Sequence, residues 1–261
     1  MAGTLLSRKE GPIGWLTIDN QLRHNAMSYE MWQMMPAILQ DMESDPSIRV
    51  VVLRGAGDRA FVSGADISEF DQKRGTADTV RQYDEASKTA QKSLRTFPKP
   101  SIAMIKGYCV GGGLAIAPEC DLRIASADAR FGIPAAKLGL GYNFDGIKHV
   151  TEIIGPARAK ELFFTGRLFS SHEAHQMGLV SAVMTPSEIE TYTGEYVAAI
   201  AQNAPLTIRA AKYAIGEAVK GEASRDLVKA QELIDACFSS RDYIEGRQAF
   251  KEKRKPSFRG E

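Results

Sequence analysis

The chain has 261 residues, 44% of them hydrophobic and 25% charged, with a formal net charge of +1. This is the balance of an ordinary soluble globular protein, long enough for one large core. It gives no electrostatic reason to bind nucleic acid or an anionic membrane. Cys109, Cys120 and Cys237 lack metal-like or paired spacing, which fits a reducing compartment. Charge comes too early for a secretory signal, and no apolar run is long enough to span a bilayer. A cytoplasmic protein with no membrane and no nucleic-acid partner is expected.

Residues 4–9 and 13–19 read as two strands joined by Gly11-Pro12 in a hairpin. The polar loop 21–26 (QLRHNA) follows. Ser28 caps a helix expected over 29–43, with a core-facing methionine stripe and an irregularity at Pro36. Residues 48–54 (IRVVVLR) read as a strand buried on both faces. The stretch 61–70 (FVSGADISEF) ends a strand on small residues, with Asp66 as the N-cap of a short helix. A helix is expected over 75–97, stopped by Pro98 and Pro100.

Residues 101–106 (SIAMIK) form a buried strand. GYCVGGGLAIAPECD (107–121) follows, where three glycines open a short helix over 114–120 that Pro118 distorts. A further short strand covers 122–125. The strand–turn–helix–strand order argues for an α/β core with parallel strands. Beyond residue 146 the pattern turns helical, over 146–154, 156–165, 171–177, 188–203, 206–219, 225–239 and 243–253. The chain divides into a core over 1–200 and a helical region over 201–261. His172 and His175 lack a third ligand nearby, so they read as part of a solvated helix face.

Two of these strand-to-helix turns carry small residues, each able to aim a backbone N–H at one point. Two converging donors make an oxyanion hole; two tight packing turns are the alternative. FVSGADISEF and the glycine run, in this order and followed by CDLRIASADARFGIP, resemble the crotonase (enoyl-CoA hydratase/isomerase) superfamily. The resemblance extends from residues 14–19 to the tail FKEKRKPSF. It implies an α/β fold, a crotonase-like ββα spiral core followed by a C-terminal helical region that builds trimers or dimers of trimers. It also implies that the N–H groups of Ala65 and Gly112 hold the thioester carbonyl of an acyl-CoA and stabilise an enolate. No cofactor is implied beyond coenzyme A as part of the substrate. By matching position, CoA contacts fall to Arg23, His24 and Ala26, to Ser63, Asp66 and Ile67, and to Phe250 and Lys253.

Hydratases of the superfamily use two glutamates, since adding water needs a positioned base and acid. The matching positions here are Ala115 and Ala135, and neither can move a proton. Glu119, one helical turn beyond Ala115, reads as a structural ion pair, and His149 as structural. The loop GLGYNFDG offers Tyr142, Asn143 and Asp145 instead. YNFDGI together with EKRKPSF resembles the methylmalonyl-CoA decarboxylase branch, in which a tyrosine at the YN motif helps hold the substrate carboxylate. That branch carries a histidine where this chain has Ala65. The resemblance implies a lyase that decarboxylates a short carboxyacyl-CoA, with Tyr142 and Asn143 orienting the leaving carboxylate. The alternatives are a hydratase or isomerase whose acid/base has moved to Asp145, and a catalytically silent CoA-binding protein. Phe70, Tyr83, Tyr108 and Phe144 are expected along the acyl pocket.

Overall fold

The computed structural model describes residues 3–66, 69 and 76–261; Ile67 and Phe70 lie outside the described residues. The expected hairpin forms between β1 (Thr4–Glu10) and β2 (Ile13–Asp19). β2 alternates because one face packs inward: Leu16 and Ile18 are fully buried. β3 (Val50–Gly55), β5 (Ser101–Ile105), β7 (Leu122–Ser126) and β10 (Ala182–Met184) continue the sheet in parallel, in the order β1-β2-β3-β5-β7-β10. β3 and β5 read as unbroken apolar runs because both faces are covered. One face meets the main core and the other a smaller cluster with Ile189 and Val197.

A second sheet stands beside the first, in the order β4 (Ala60–Val62), β6 (Tyr108–Val110), β8 (Arg130–Gly132) and β9 (Phe169–Ser170). β4, β6 and β8 are parallel, and β9 is antiparallel to β8. The sequence anticipates only β4, as a strand end, because two- and three-residue strands are too short to display a period of two. The carboxyl ends of β4 and β6 run into the two small-residue turns.

Ser28 caps α1 (Tyr29–Ser44), its side chain accepting from the Met31 N–H at 3.2 Å. Met31, Met35 and Met42 are fully buried, so the stripe is core, and Pro36 lies inside the helix. α2 (Ala77–Arg95) begins at a Thr76 capping box. α3 is shorter than expected, Gly112–Ile116, because Pro118 tightens the next turn into a 3-10 turn over Ala117–Glu119.

The two helices expected over 146–165 run on as α4 (Phe144–Thr165), interrupted only at Gly155. Its φ of 76° and ψ of 161° lie where only glycine sits without strain. Asn143 provides the N-cap of α4, its Oδ1 accepting from the Gly146 N–H at 2.8 Å. α5 (Ser171–Gln176) and α6 (Ile189–Ala201) complete the body. α7 (Pro205–Ala218), α8 (Leu227–Phe238) and α9 (Arg241–Glu252) form the terminal helical region. Asp242, buried, draws the tail back by accepting from the Arg259 and Gly260 N–H groups at 2.7 and 2.8 Å. No helix among the described residues is long and apolar enough to cross a membrane.

Candidate active site

The first donor turn is built from residues 63–66 laid along residues 24–27. Ser63 N–H donates to His24 O at 3.1 Å, Met27 N–H to Gly64 O at 2.9 Å, and Asp66 N–H to Met27 O at 2.9 Å. The last two bonds flank Ala65 in a one-residue parallel pairing with Met27. In a parallel pairing of this kind the flanked residue's own N–H faces away from the partner segment. Ala65 N–H therefore points outward and finds no acceptor among the described residues.

The expected second donor, Gly112, is the first residue of α3, where an N–H has no acceptor within its own helix. The two turns touch. A Cβ on Gly112 would stand 3.1 Å from the Gly64 carbonyl carbon and oxygen, the other half of the peptide that carries the Ala65 N–H. Gly113 is wedged more tightly, since a Cβ there would meet Val62 O at 2.5 Å. Absent side chains thus let the two turns pack backbone against backbone.

The expected contact residues Arg23, His24, Ala26, Ser63 and Asp66 all gather along this paired segment. Arg23 and His24 are exposed and Ser63 is half-buried, its hydroxyl donating to Arg23 O at 3.1 Å. Ala26 is buried. Asp66 turns its carboxylate inward, only 3% exposed, where Oδ2 accepts from Arg23 Nη1 at 2.5 Å and Asn20 Nδ2 at 3.3 Å. Phe250 and Lys253 stand apart in the single chain. Phe250 is exposed and lines an apolar cleft of about 840 Å³ between α7, α8 and α9, which includes no donor-turn residue. Lys253 ends α9 in a left-handed conformation.

Ala115 and Ala135 present half-buried methyl groups where the two glutamates were missed. Glu119 is committed elsewhere. It is 5% exposed and accepts from Arg95 Nε at 2.6 Å and Nη2 at 2.8 Å. His149 Nε2 lies 2.8 Å from Pro118 O and 3.7 Å from Glu119, which ties α4 to the turn below α3. Both have the structural roles expected of them.

Tyr142 packs edge-on against Phe163, with ring centroids 5.1 Å apart, and lies over Gly146. Burial pushes its hydroxyl up to about 12, with the fields of Cys109 and Glu119 adding to the shift. It is therefore a neutral O–H donor near neutral pH, and no hydrogen-bond partner for it is found among the described residues. Asn143, expected to orient a substrate carboxylate, has its side-chain oxygen occupied by the α4 cap. Asp145 is exposed in the first turn of α4. Its field adds to that of Glu119 in raising the Arg95 guanidinium, whose main cause is the hydrogen bonding to Glu119. Asp145 is the carboxylate of this loop, and it has no hydrogen-bond partner among the described residues.

Of the expected pocket wall, Tyr83 is buried and accepts from Trp32 Nε1 at 2.9 Å, while Tyr108 and Phe144 are exposed. Cys109 and Cys120 are buried, and burial pushes both thiols up, so neither is a nucleophile at neutral pH. No group of residues suited to a metal ion occurs among the described residues. Asn20 and Asn25 fall outside the site residues expected from the sequence. Their signal was an asparagine pair bracketing a tight polar loop, a residue type that tolerates the left-handed conformation Asn25 adopts (φ 57°).

The sequence and the fold have close counterparts. The enoyl-CoA hydratase/isomerase family model matches residues 8–261. A short-chain-enoyl-CoA hydratase of Clostridium acetobutylicum is 34% identical over 251 residues, covering 96% of this chain and 95% of the relative. A crotonyl-CoA hydratase of Syntrophomonas wolfei is 30% identical, covering 97% of both chains. A crystal structure of an enoyl-CoA hydratase/carnithine racemase from Magnetospirillum magneticum superimposes with a TM-score of 0.91 at 34% identity, over 98% of this chain and 96% of that one. The fold is the crotonase fold, with its helical C-terminal region, and the chain belongs to the enoyl-CoA hydratase/isomerase family, whose enzymes act on acyl-CoA thioesters.

Proposed function

We propose that the chain works as an enoyl-CoA hydratase or isomerase that holds an enolate between Ala65 N–H and Gly112 N–H and moves the proton through Asp145. The observation that carries the reading is the contact between the two donor turns at Gly64 and Gly112. Two preorganised donors outside bulk water stabilise a developing oxyanion by several kcal/mol. The hydratase names of the relatives support this reading over the decarboxylation that the YN loop suggested. Double-bond migration needs one base, which takes a proton from one carbon and returns it to another. Water addition needs a second group as well. With alanine at positions 115 and 135, migration makes the smaller demand on the site.

Decarboxylation of a short carboxyacyl-CoA is the second reading, favoured by the partly buried, neutral hydroxyl of Tyr142, which has no partner among the described residues. Loss of CO2 supplies the electron pair, and the same hole receives it as an enolate. Assembly into a trimer or a dimer of trimers suits the apolar residues left exposed on α7–α9, among them Ile215, Phe238 and Phe250. A cytoplasmic location is part of the same reading.

The test is turnover in D2O followed by mass spectrometry, with crotonyl-CoA, a 3-enoyl-CoA and methylmalonyl-CoA given in parallel to wild type, Asp145→Asn and Tyr142→Phe. Water addition or deuterium-labelled migration that Asp145→Asn abolishes supports the first reading. CO2 release that Tyr142→Phe diminishes replaces it with the second. Binding of all three thioesters without turnover identifies a silent CoA-binding protein and rejects both.

A further inference from the structure

The first donor is only as good as the direction of one peptide, and a buried polar cluster lies behind it. Asn20 and Asn25 are 6% and 1% exposed, and Asp66 is 3% exposed. Asn20 N–H donates to Asn25 Oδ1 at 3.0 Å, closing the loop on itself. Asn20 Nδ2 reaches Ala26 O at 2.9 Å and Asp66 Oδ2 at 3.3 Å. Asn25 Nδ2 donates to Ala60 O at 2.6 Å and Ala56 O at 3.0 Å, which fastens the loop to the strand that leads into the donor turn. Arg23 Nη1 supplies charge to the same Asp66 oxygen at 2.5 Å. Burying this much polarity in a core is costly unless every group is placed. Here it ties residues 20–27 to Ala56, Ala60 and Asp66, around the two strips of chain whose pairing sets the Ala65 N–H.

We propose that Asn20 and Asp66 are positioning residues for the Ala65 donor, acting through the Met27–Ala65 pairing rather than by touching the substrate. The proposal rests on the oxyanion-hole reading given above. It differs from the sequence expectation for Asp66, a CoA contact, because the carboxylate is turned away from solvent and toward Asn20 and Arg23. The two roles separate cleanly. A positioning residue alters how strongly the thioester carbonyl is polarised and leaves CoA affinity alone. A contact residue does the reverse.

The experiment uses 2,4-hexadienoyl-CoA, a conjugated thioester whose absorption moves to longer wavelength when its carbonyl accepts strong hydrogen bonds. Wild type, Asp66→Asn and Arg23→Gln are titrated with it, and kcat and KM are measured on whichever substrate turns over. In Asp66→Asn the red shift is expected to fall by more than half and kcat by about tenfold or more, with KM and the dissociation constant within about twofold. Arg23→Gln, at an exposed side chain that does not threaten the fold, is expected to move the red shift in the same direction by less. An unchanged red shift in both variants, with weakened binding, overturns the proposal in favour of CoA contact. No red shift in wild type removes the oxyanion-hole reading, and this inference with it.

Discussion

Arg95 grips Glu119 through two hydrogen bonds, 2.6 Å from Nε and 2.8 Å from Nη2, and so binds α2 to the turn beneath the second donor. The pair is lopsided. The carboxylate side chain is 2% exposed and the guanidinium 43%. Removing the arginine strands a buried charge, whereas removing the carboxylate leaves a cation that can turn to water. Arg95→Met is expected to destabilise by about 3 kcal/mol, and Glu119→Gln by about 1 kcal/mol. Urea unfolding of the two variants measures the difference, and equal losses contradict the asymmetry.

Gly112 allows the second donor to be deleted without disturbing a side chain. It is the first residue of α3, a position where proline is tolerated because no intrahelical bond is lost. Gly112→Ala and Gly112→Pro both add a Cβ against Gly64, but only the second removes the N–H. Alanine is expected to lower kcat by about tenfold through misalignment, and proline by a further factor of about 100 through loss of the donor. The ratio of the two rate constants, rather than either alone, reports the N–H; a ratio near one removes Gly112 from the hole.

Tyr142 makes a prediction about alkaline stability. Burial raises its folded value to about 12, above the ~10 of an exposed phenol. The folded chain then holds a proton that the unfolded chain gives up, so stability falls as pH rises from about 10 to about 12. Below pH 10 the group contributes no slope. Tyr142→Phe is expected to flatten thermal stability against pH in that window alone. A parallel displacement of the curve at every pH, with the alkaline slope intact, places the hydroxyl in a more polar setting.

The hairpin, the Ser28 cap, the methionine stripe, the buried strands β3 and β5, and the terminal helices were legible because each spans enough residues to display its period or cap. The second sheet was not, since β6, β8 and β9 hold two or three residues apiece and form through partners far along the chain. The donor turns were legible as glycine and small residues between strand and helix. What the sequence hid was side-chain direction. Asn143 is spent on a helix cap, Asp66 faces inward, and Phe250 lies on a cleft of its own helices; each depends on packing that no local pattern encodes.

Both donors belong to the main chain, and this separates two kinds of inheritance. Short of proline, no point mutation can erase an N–H, while any point mutation can replace a proton-transferring side chain. In the proposed site, side-chain changes can misalign the donors without removing them, while a single change can abolish proton transfer outright. Ala115 and Ala135 mark the mutable half of that bargain: a lineage can lose both glutamates, hold the same unstable species, and be recruited by whichever neighbouring group next offers or withholds a proton.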